Sequence, residues 1–272
     1  MSGLVPGDWL TINGQVAESV RDHGFDVVQL RVNDPSQATD KRVQGIRSTL
    51  REAGLAVGQT VGNYGGGLVS PDPDERAATI KYVKRMVNMT RRIGSPNTYL
   101  RPGSMNPNGA WLPHPENRSD KVFDRLVDST RQIASVAENE GVKLALEGGV
   151  VCPVYSPERT REFVDAVGSK ALGFNMDPVN YVASLDDAYD TTGLLNRLYD
   201  QLGHVIVGAH AKDFQVNEQL LPCFREEIIG SGLMDHETFL KRMQESCPSG
   251  HVLIDHLPNE KIPAARDGLN AA

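Results

Sequence analysis

Val142-Lys-Leu-Ala-Leu-Glu147 is a short apolar run that ends in a carboxylate. An amphipathic stretch from Glu116 to Gly141 precedes it, with Leu126, Ile133 and Val136 on one face. Ser156-Pro157-Glu158 then opens a further helix, with an N-cap serine and a proline at the first helical position. The same strand-then-helix order extends in both directions. Upstream, Phe25 to Arg31, Leu55 to Asn63 and Asn97 to Arg101 read as strands. Helices from Gln37 to Gly54 and from Pro73 to Gly94 separate them, each closed by a glycine, the second with acidic residues in its first turn. Downstream, the strands Ala171 to Asp177, His204 to Asp213 and His251 to Leu257 alternate with helices at Leu194 to Gly203, at Asp235 to Cys247 and from Pro258 onward.

Seven βα units are clear, and an eighth requires a first strand near Trp9 to Asn13, where the pattern is weak. Regular alternation demands a parallel sheet, closed as a barrel or open as a doubly wound fold. No Gly-x-Gly-x-x-Gly follows an early strand, so the open dinucleotide-binding form lacks its signature. The expectation is a single-domain (β/α)8 TIM barrel over residues 1–272. Two long loops, Pro102 to Pro115 and Gln215 to Ser231, interrupt the rhythm.

Composition narrows the function classes. Hydrophobic residues make up 39% and charged residues 23%, as in a globular protein. No apolar run reaches the roughly 20 residues that span a bilayer, and the first residues lack a secretory pattern, so a cytoplasmic location without membrane contact is expected. Cys152, Cys223 and Cys247 are far apart and form no Cys-x-x-Cys pair, which argues against disulfides and a thiolate zinc site. A formal charge of −7 disfavours nucleic acid as a partner and leaves a small molecule as the expected ligand.

In a βα barrel, functional groups sit where strands end. Four successive strand ends carry a candidate hard-metal ligand: Glu147, Asp177, His210 and Asp255. Alternation puts Ala145 beneath Glu147, Asn175 and Gly173 beneath Asp177, and Gly208 beneath His210, leaving room for an ion above the packed layers. Three carboxylates and an imidazole suit one divalent metal ion (Mn, Mg, Co or Zn) with positions left for substrate oxygens. Buried charges at four consecutive strand ends are costly unless a cation neutralises them.

Other residues earn roles by position. The loop after Arg101 carries Trp111, a platform for a sugar ring, and His114, a candidate acid or base. Lys212 shares the inward parity of His210 and suits a substrate oxygen or an enolate, or else a salt bridge to Glu147 or Asp213. Arg101, Asn175, Asn180 and Arg225 are candidate substrate-binding groups. His23, His204 and His236 read as structural, and so does His256, whose parity opposite to Asp255 turns it toward the helical layer.

The motifs Leu144-Ala-Leu-Glu147, Asn175-Met-Asp177-Pro178, Gly208-Ala-His210-Ala-Lys212-Asp213, Ile229-Gly-Ser-Gly232-Leu-Met-Asp235 and Leu253-Ile-Asp255-His256 resemble those of the xylose-isomerase-like barrel superfamily (the sugar phosphate isomerase/epimerase family). The resemblance covers essentially the whole chain and implies a four-ligand site from Glu147, Asp177, His210 and Asp255. It implies an isomerase or epimerase acting on a sugar or related polyhydroxy carbonyl compound through an enediolate, with Glu147 or His114 as base. A lyase or dehydratase using the same site, like inosose dehydratase or a C-glycoside-cleaving enzyme, is the alternative. An endonuclease IV-like phosphodiesterase and a non-catalytic barrel rank below it. Dimers or tetramers are common among lookalikes, so a homo-oligomer is expected. Two positions depart from the epimerase pattern: Asp255 stands where Glu is usual, and Asn180 where Asp-x-x-His has its imidazole.

Overall fold

The computed structural model describes residues 4–272, in which strands and helices alternate from α1 (Gly14–Asp22) and β1 (Val27–Val32) onward. Then come α2 (Asp40–Glu52), β2 (Ala56–Gly62), α3 (Pro73–Ile93), β3 (Asn97–Leu100), α4 (Asp120–Glu140) and β4 (Lys143–Leu146). The second half runs through α5 (Pro157–Val167), β5 (Leu172–Met176), α6 (Leu185–Tyr189), α7 (Thr191–Leu202), β6 (Ile206–Ala211), β7 (Asp213–Val216) and β8 (Phe224–Glu227). It closes with α8 (His236–Ser246), β9 (Val252–Ile254) and α9 (Ile262–Asn270). Seven strands pair in the order β1-β2-β3-β4-β5-β6-β9, each with a parallel neighbour, and form a nearly closed TIM barrel of one domain.

Local chemistry sets the helix ends. Asp72 Oδ1 accepts the N–H of Asp74 at 2.9 Å to start α3 at Pro73. Gly94 ends that helix at φ 87°, a left-handed conformation that costs glycine nothing. Ser156 caps α5 in the same way as Asp72 caps α3, its oxygen receiving the N–H of Arg159. On β4, Leu144 and Leu146 pack outward against Leu126, Ile133 and Phe163 of the helical layer. Each such fully buried leucine contributes roughly 1.5–3 kcal/mol. Their outward setting turns Ala145 and the following Glu147 toward the barrel axis.

The eighth strand expected near Trp9 to Asn13 is not there. Trp9–Thr11 is instead a 3-10 turn, and Asn13 caps α1. Asp8 Oδ1 takes the N–H of Leu10 at 3.1 Å and Asn13 Oδ1 that of Val16 at 3.0 Å. Two capping oxygens so close together satisfy the backbone locally and compete with an extended conformation. Among the described residues, β1 and β9 are therefore not joined by a strand pairing, and a cavity of 160 Å³ lined by Leu4, Val5, Phe25 and Leu253 lies between them.

The long loop expected from Gln215 to Ser231 is largely an antiparallel hairpin, β7 paired with β8 from Asp213↔Glu227 to Val216↔Phe224. Asp213 anchors it. Its Oδ1 accepts the N–H groups of Phe214 and Met234 at 2.8 and 3.0 Å, and its Oδ2 those of Gly230 and Gly232, both at 2.9 Å. His236 Nε2 lies 3.4 Å from Oδ2. No helix of the described residues is long and apolar enough to cross a membrane.

Burial opposes ionisation of Asp213, but His236 and the backbone N–H groups outweigh it and hold the carboxyl below its ordinary value. A depressed folded pKa means stability that is present above the unfolded value, roughly 4, and is lost as pH falls through the folded one. Asp213→Asn leaves at least one of the N–H donors facing an amide NH2, and we expect about 3 kcal/mol of lost stability at pH 7. Urea unfolding measures this; the difference from the wild type should shrink on acidification below pH 4, and equal midpoints at pH 7 contradict the anchoring role.

Candidate functional site

The C-terminal ends of β4, β5, β6 and β9 deliver the four expected residues to one place. Glu147 Oε1 lies 2.8 Å from His210 Nδ1, Asp255 Oδ2 3.5 Å and Asp177 Oδ2 3.9 Å. Glu147, Asp177 and His210 form a buried group whose ligand atoms all lie within 4.8 Å of one another. Asp255 joins from the solvent side: its side chain is 20% exposed, against 0% for Asp177. Lys212, one residue past β6, enters the same cluster, with Nζ 2.7 Å from Asp177 Oδ2, 3.5 Å from Asp255 Oδ2 and 3.3 Å from Asn180 Oδ1.

The electrostatics are those of a crowded anionic site. Burial pushes the Glu147 carboxyl up, but His210, Lys212 and the Tyr99 hydroxyl reverse this and hold it far below the usual range. For Asp177 burial prevails, and repulsion from Glu147 adds to it, so that despite Lys212 its pKa is raised to about 7. Burial disfavours the Lys212 ammonium, yet Asp177, Glu147 and Asp255 keep it charged well above its normal range. His210 is likewise raised, the carboxylates outweighing its desolvation.

The donor set fits a divalent cation. Both oxygens of Asp177 and Nδ1 of His210 are buried without a hydrogen bond, the Lys212 contact being an ion pair rather than an aligned donor. Unsatisfied carboxylate oxygens and an imidazole nitrogen converging within ligand reach are what a hard or borderline cation takes up.

A cavity of 410 Å³ opens above this cluster. Arg101, Trp111, Asn180 and Lys212 line it together with Glu147, His210 and Asp255. Arg101 donates to the Tyr64 carbonyl and lies over the Tyr64 ring, 5.1 Å from its centroid. Three other candidates are elsewhere. Asn175 is fully buried beneath the cluster, with its amide bonded to Glu147 and Gln59. His114 lies outside the cavity lining and caps a short 3-10 turn, its Nδ1 accepting the N–H of Glu116 at 3.3 Å. Arg225, on the hairpin, donates to Gln215 Oε1 at 2.9 Å and also lies outside the lining.

His256 corrects the parity argument. It adopts φ 63°, the only left-handed residue other than glycine among those described, and this reverses the alternation after β9. The ring therefore joins the cavity wall, with Nε2 3.3 Å from Asp255 Oδ2 and Nδ1 against Glu226 of β8. Glu226 raises the imidazole pKa against its partial burial. Two further residues escaped the sequence reading. Tyr99 of β3 donates its hydroxyl to Glu147 Oε2 at 2.6 Å and stacks on His210, and Gln59 of β2 meets His210 from below. Tyr99 stands two residues before Arg101 and thus shares its inward face, which was the available signal.

Comparison with known proteins bears on this arrangement. A family model described as a xylose isomerase-like TIM barrel matches residues 17–271. Among solved structures, a xylose isomerase domain protein from Planctomyces limnophilus is 23% identical, with a TM-score of 0.71 over 94% of this chain and 88% of that one. A xylose isomerase-like TIM barrel protein from Mycobacterium smegmatis in complex with magnesium is 17% identical, with a TM-score of 0.71 over 95% and 86% of the two chains. The 3-keto-D-glucoside 4-epimerase of E. coli is 17% identical, with a TM-score of 0.73 over 100% and 96%. At these identities the structures establish a shared fold.

Removing the internal cation tests the electrostatic account. Lys212→Met leaves Asp177 and Asp255 without their ammonium partner, and breaking a buried pair from one side costs about 3–5 kcal/mol. Urea unfolding in EDTA should show that loss, with partial recovery when a divalent cation is added; an unchanged midpoint contradicts the charge balance described here.

Proposed function

We propose that this chain, a member of the xylose isomerase-like TIM barrel family, is a divalent-metal-dependent epimerase or isomerase of a sugar or related polyhydroxy carbonyl compound. One observation carries the reading: Glu147, Asp177 and Asp255 all place an oxygen within 4 Å of His210 Nδ1, on the floor of a cavity of 410 Å³. These four residues would hold the ion. When bound, a divalent cation supplies Lewis acidity to adjacent carbonyl and hydroxyl oxygens and acidifies the C–H between them.

The chain's own groups do the rest. Glu147 is ionised and fixed at both oxygens, by Tyr99 at Oε2 and Asn175 at Oε1, so it presents a defined direction to the carbon acid. Lys212 keeps its positive charge beside the same floor and stabilises negative charge that develops on a substrate oxygen. Asn180 and Arg101 offer hydrogen bonds to hydroxyl groups, and Trp111 gives the apolar face of a sugar ring something to lie on. His114 caps a turn outside the cavity lining, which leaves Glu147 as the base. The relatedness to the E. coli epimerase in fold supports a sugar-like substrate.

A second reading rests on His256. An imidazole in the cavity wall, backed by Glu226, suits protonation of a departing hydroxyl, which turns the same carbon-acid chemistry into a lyase. The two readings share the first step and differ in the product.

Incubation in D2O with a panel of ketoses and keto-inositols, followed by proton NMR, tests both. We expect loss of one C–H signal next to a carbonyl, and Glu147→Gln should slow it by about a hundredfold to ten-thousandfold. Release of water with an unsaturated product selects the lyase. Exchange that persists unchanged in Glu147→Gln contradicts the assignment of the base.

A further inference from the structure

Three side-chain amides cross the barrel interior beneath the candidate cation site, and their orientations can be read in sequence. A Glu147 carboxylate that ligates a cation can only accept, and Asn175 Nδ2 donates to its Oε1 at 3.0 Å. Asn175 Oδ1 therefore faces the other way, toward Gln59, whose Nε2 donates to it at 3.1 Å. Gln59 Oε1 is left pointing at His210 Nε2, 3.2 Å away; Gln29 Nε2 stands 3.3 Å from the same ring nitrogen but directs its shorter bond, 2.6 Å, to Gln59 Oε1. A carboxylate that cannot donate thus settles both buried amides. Gln59 and Asn175 are each 0% exposed.

The backbone is shaped to aim these groups. Across β1 and β2 the register passes over Gly58, so that Val28 pairs with Val57 but Gln29 with Gln59. A Cβ on Gly58 would lie 2.4 Å from Val27 Cγ1 and 2.9 Å from His251 Cγ, so only glycine fits the irregularity. Between β5 and β6 a second shift, over Val207, brings Asn175 opposite Gly208.

We propose that Gln59, held by Asn175, is the positioning residue that decides which nitrogen of His210 serves a cation. By offering a fixed acceptor to Nε2, it places the ring proton there and leaves the Nδ1 lone pair facing Glu147, Asp177 and Asp255. Gln59 touches neither ion nor substrate and acts only through His210. The inference rests on the cation-binding reading above and adds to it a direction for the imidazole. Partners of this kind set ligand orientation and basicity, and their removal costs about 10–100-fold in metal affinity.

Zn2+ is the probe, applied to the full chain. In the Zn2+-loaded wild type with 15N-labelled histidine, NMR should show the His210 proton on Nε2, in slow exchange with water. A proton on Nδ1 overturns the proposal, whether or not any variant folds. Calorimetric titration should find Gln59→Met about 10–100-fold weaker for Zn2+ than the wild type. Gln59→Glu, which restores an acceptor to Nε2, should bind more tightly than Gln59→Met. Equal affinity in the wild type and Gln59→Met overturns the relay alone, whereas no Zn2+ binding by the wild type overturns the preceding reading and this one with it.

Discussion

Two buried carboxylates and a third at the solvent edge, gathered around one imidazole, are the constraint that organises this molecule. Removing an ion from water costs several kcal/mol even after relaxation, and a whole domain is stable by only about 5–15 kcal/mol. Glu147, Asp177 and Asp255 cannot all be ionised at the mouth of the barrel unless positive charge meets them. Lys212 supplies one such charge, 2.7 Å from Asp177, and the raised pKa of Asp177 is the sign that one is not enough. A divalent cation among the same oxygens completes the balance, and the rest of the site follows from holding the ligands still.

The surrounding structure holds them through short-range polar contacts. Tyr99 and Asn175 fix the two oxygens of Glu147, and Gln59 meets the far side of His210. Asp213, three residues after His210, gathers four backbone N–H groups and so ties the β7–β8 hairpin to the barrel rim, where Glu226 meets His256. The left-handed backbone at His256 is held by that hairpin contact on one side and Asp255 on the other.

The parts legible in the sequence were those decided locally. Strand-then-helix order follows from periodicity and caps, which is why β4, α4 and α5 lie where Val142, Gly141 and Pro157 imply. Strand ends are likewise local, and parity along β6 brings Lys212 onto the side of His210. Two misreadings have distinct physical causes. Asp8 and Asn13 divert the first segment into a turn and a helix cap, and a left-handed residue inverts the parity at His256. Tyr99 was signalled only by its shared parity with Arg101. Gln59 reaches the site through contacts across strands, with a register shift at Gly58 intervening, and is not encoded by spacing along a single segment.

Anomalous diffraction from crystals grown with Mn2+ is the most direct measurement of the central claim. The account predicts one strong peak per chain, within bonding distance of Glu147, Asp177, His210 Nδ1 and Asp255. A manganese peak elsewhere, or Lys212 ammonium remaining as the sole cation among these carboxylates at saturating Mn2+, would contradict it.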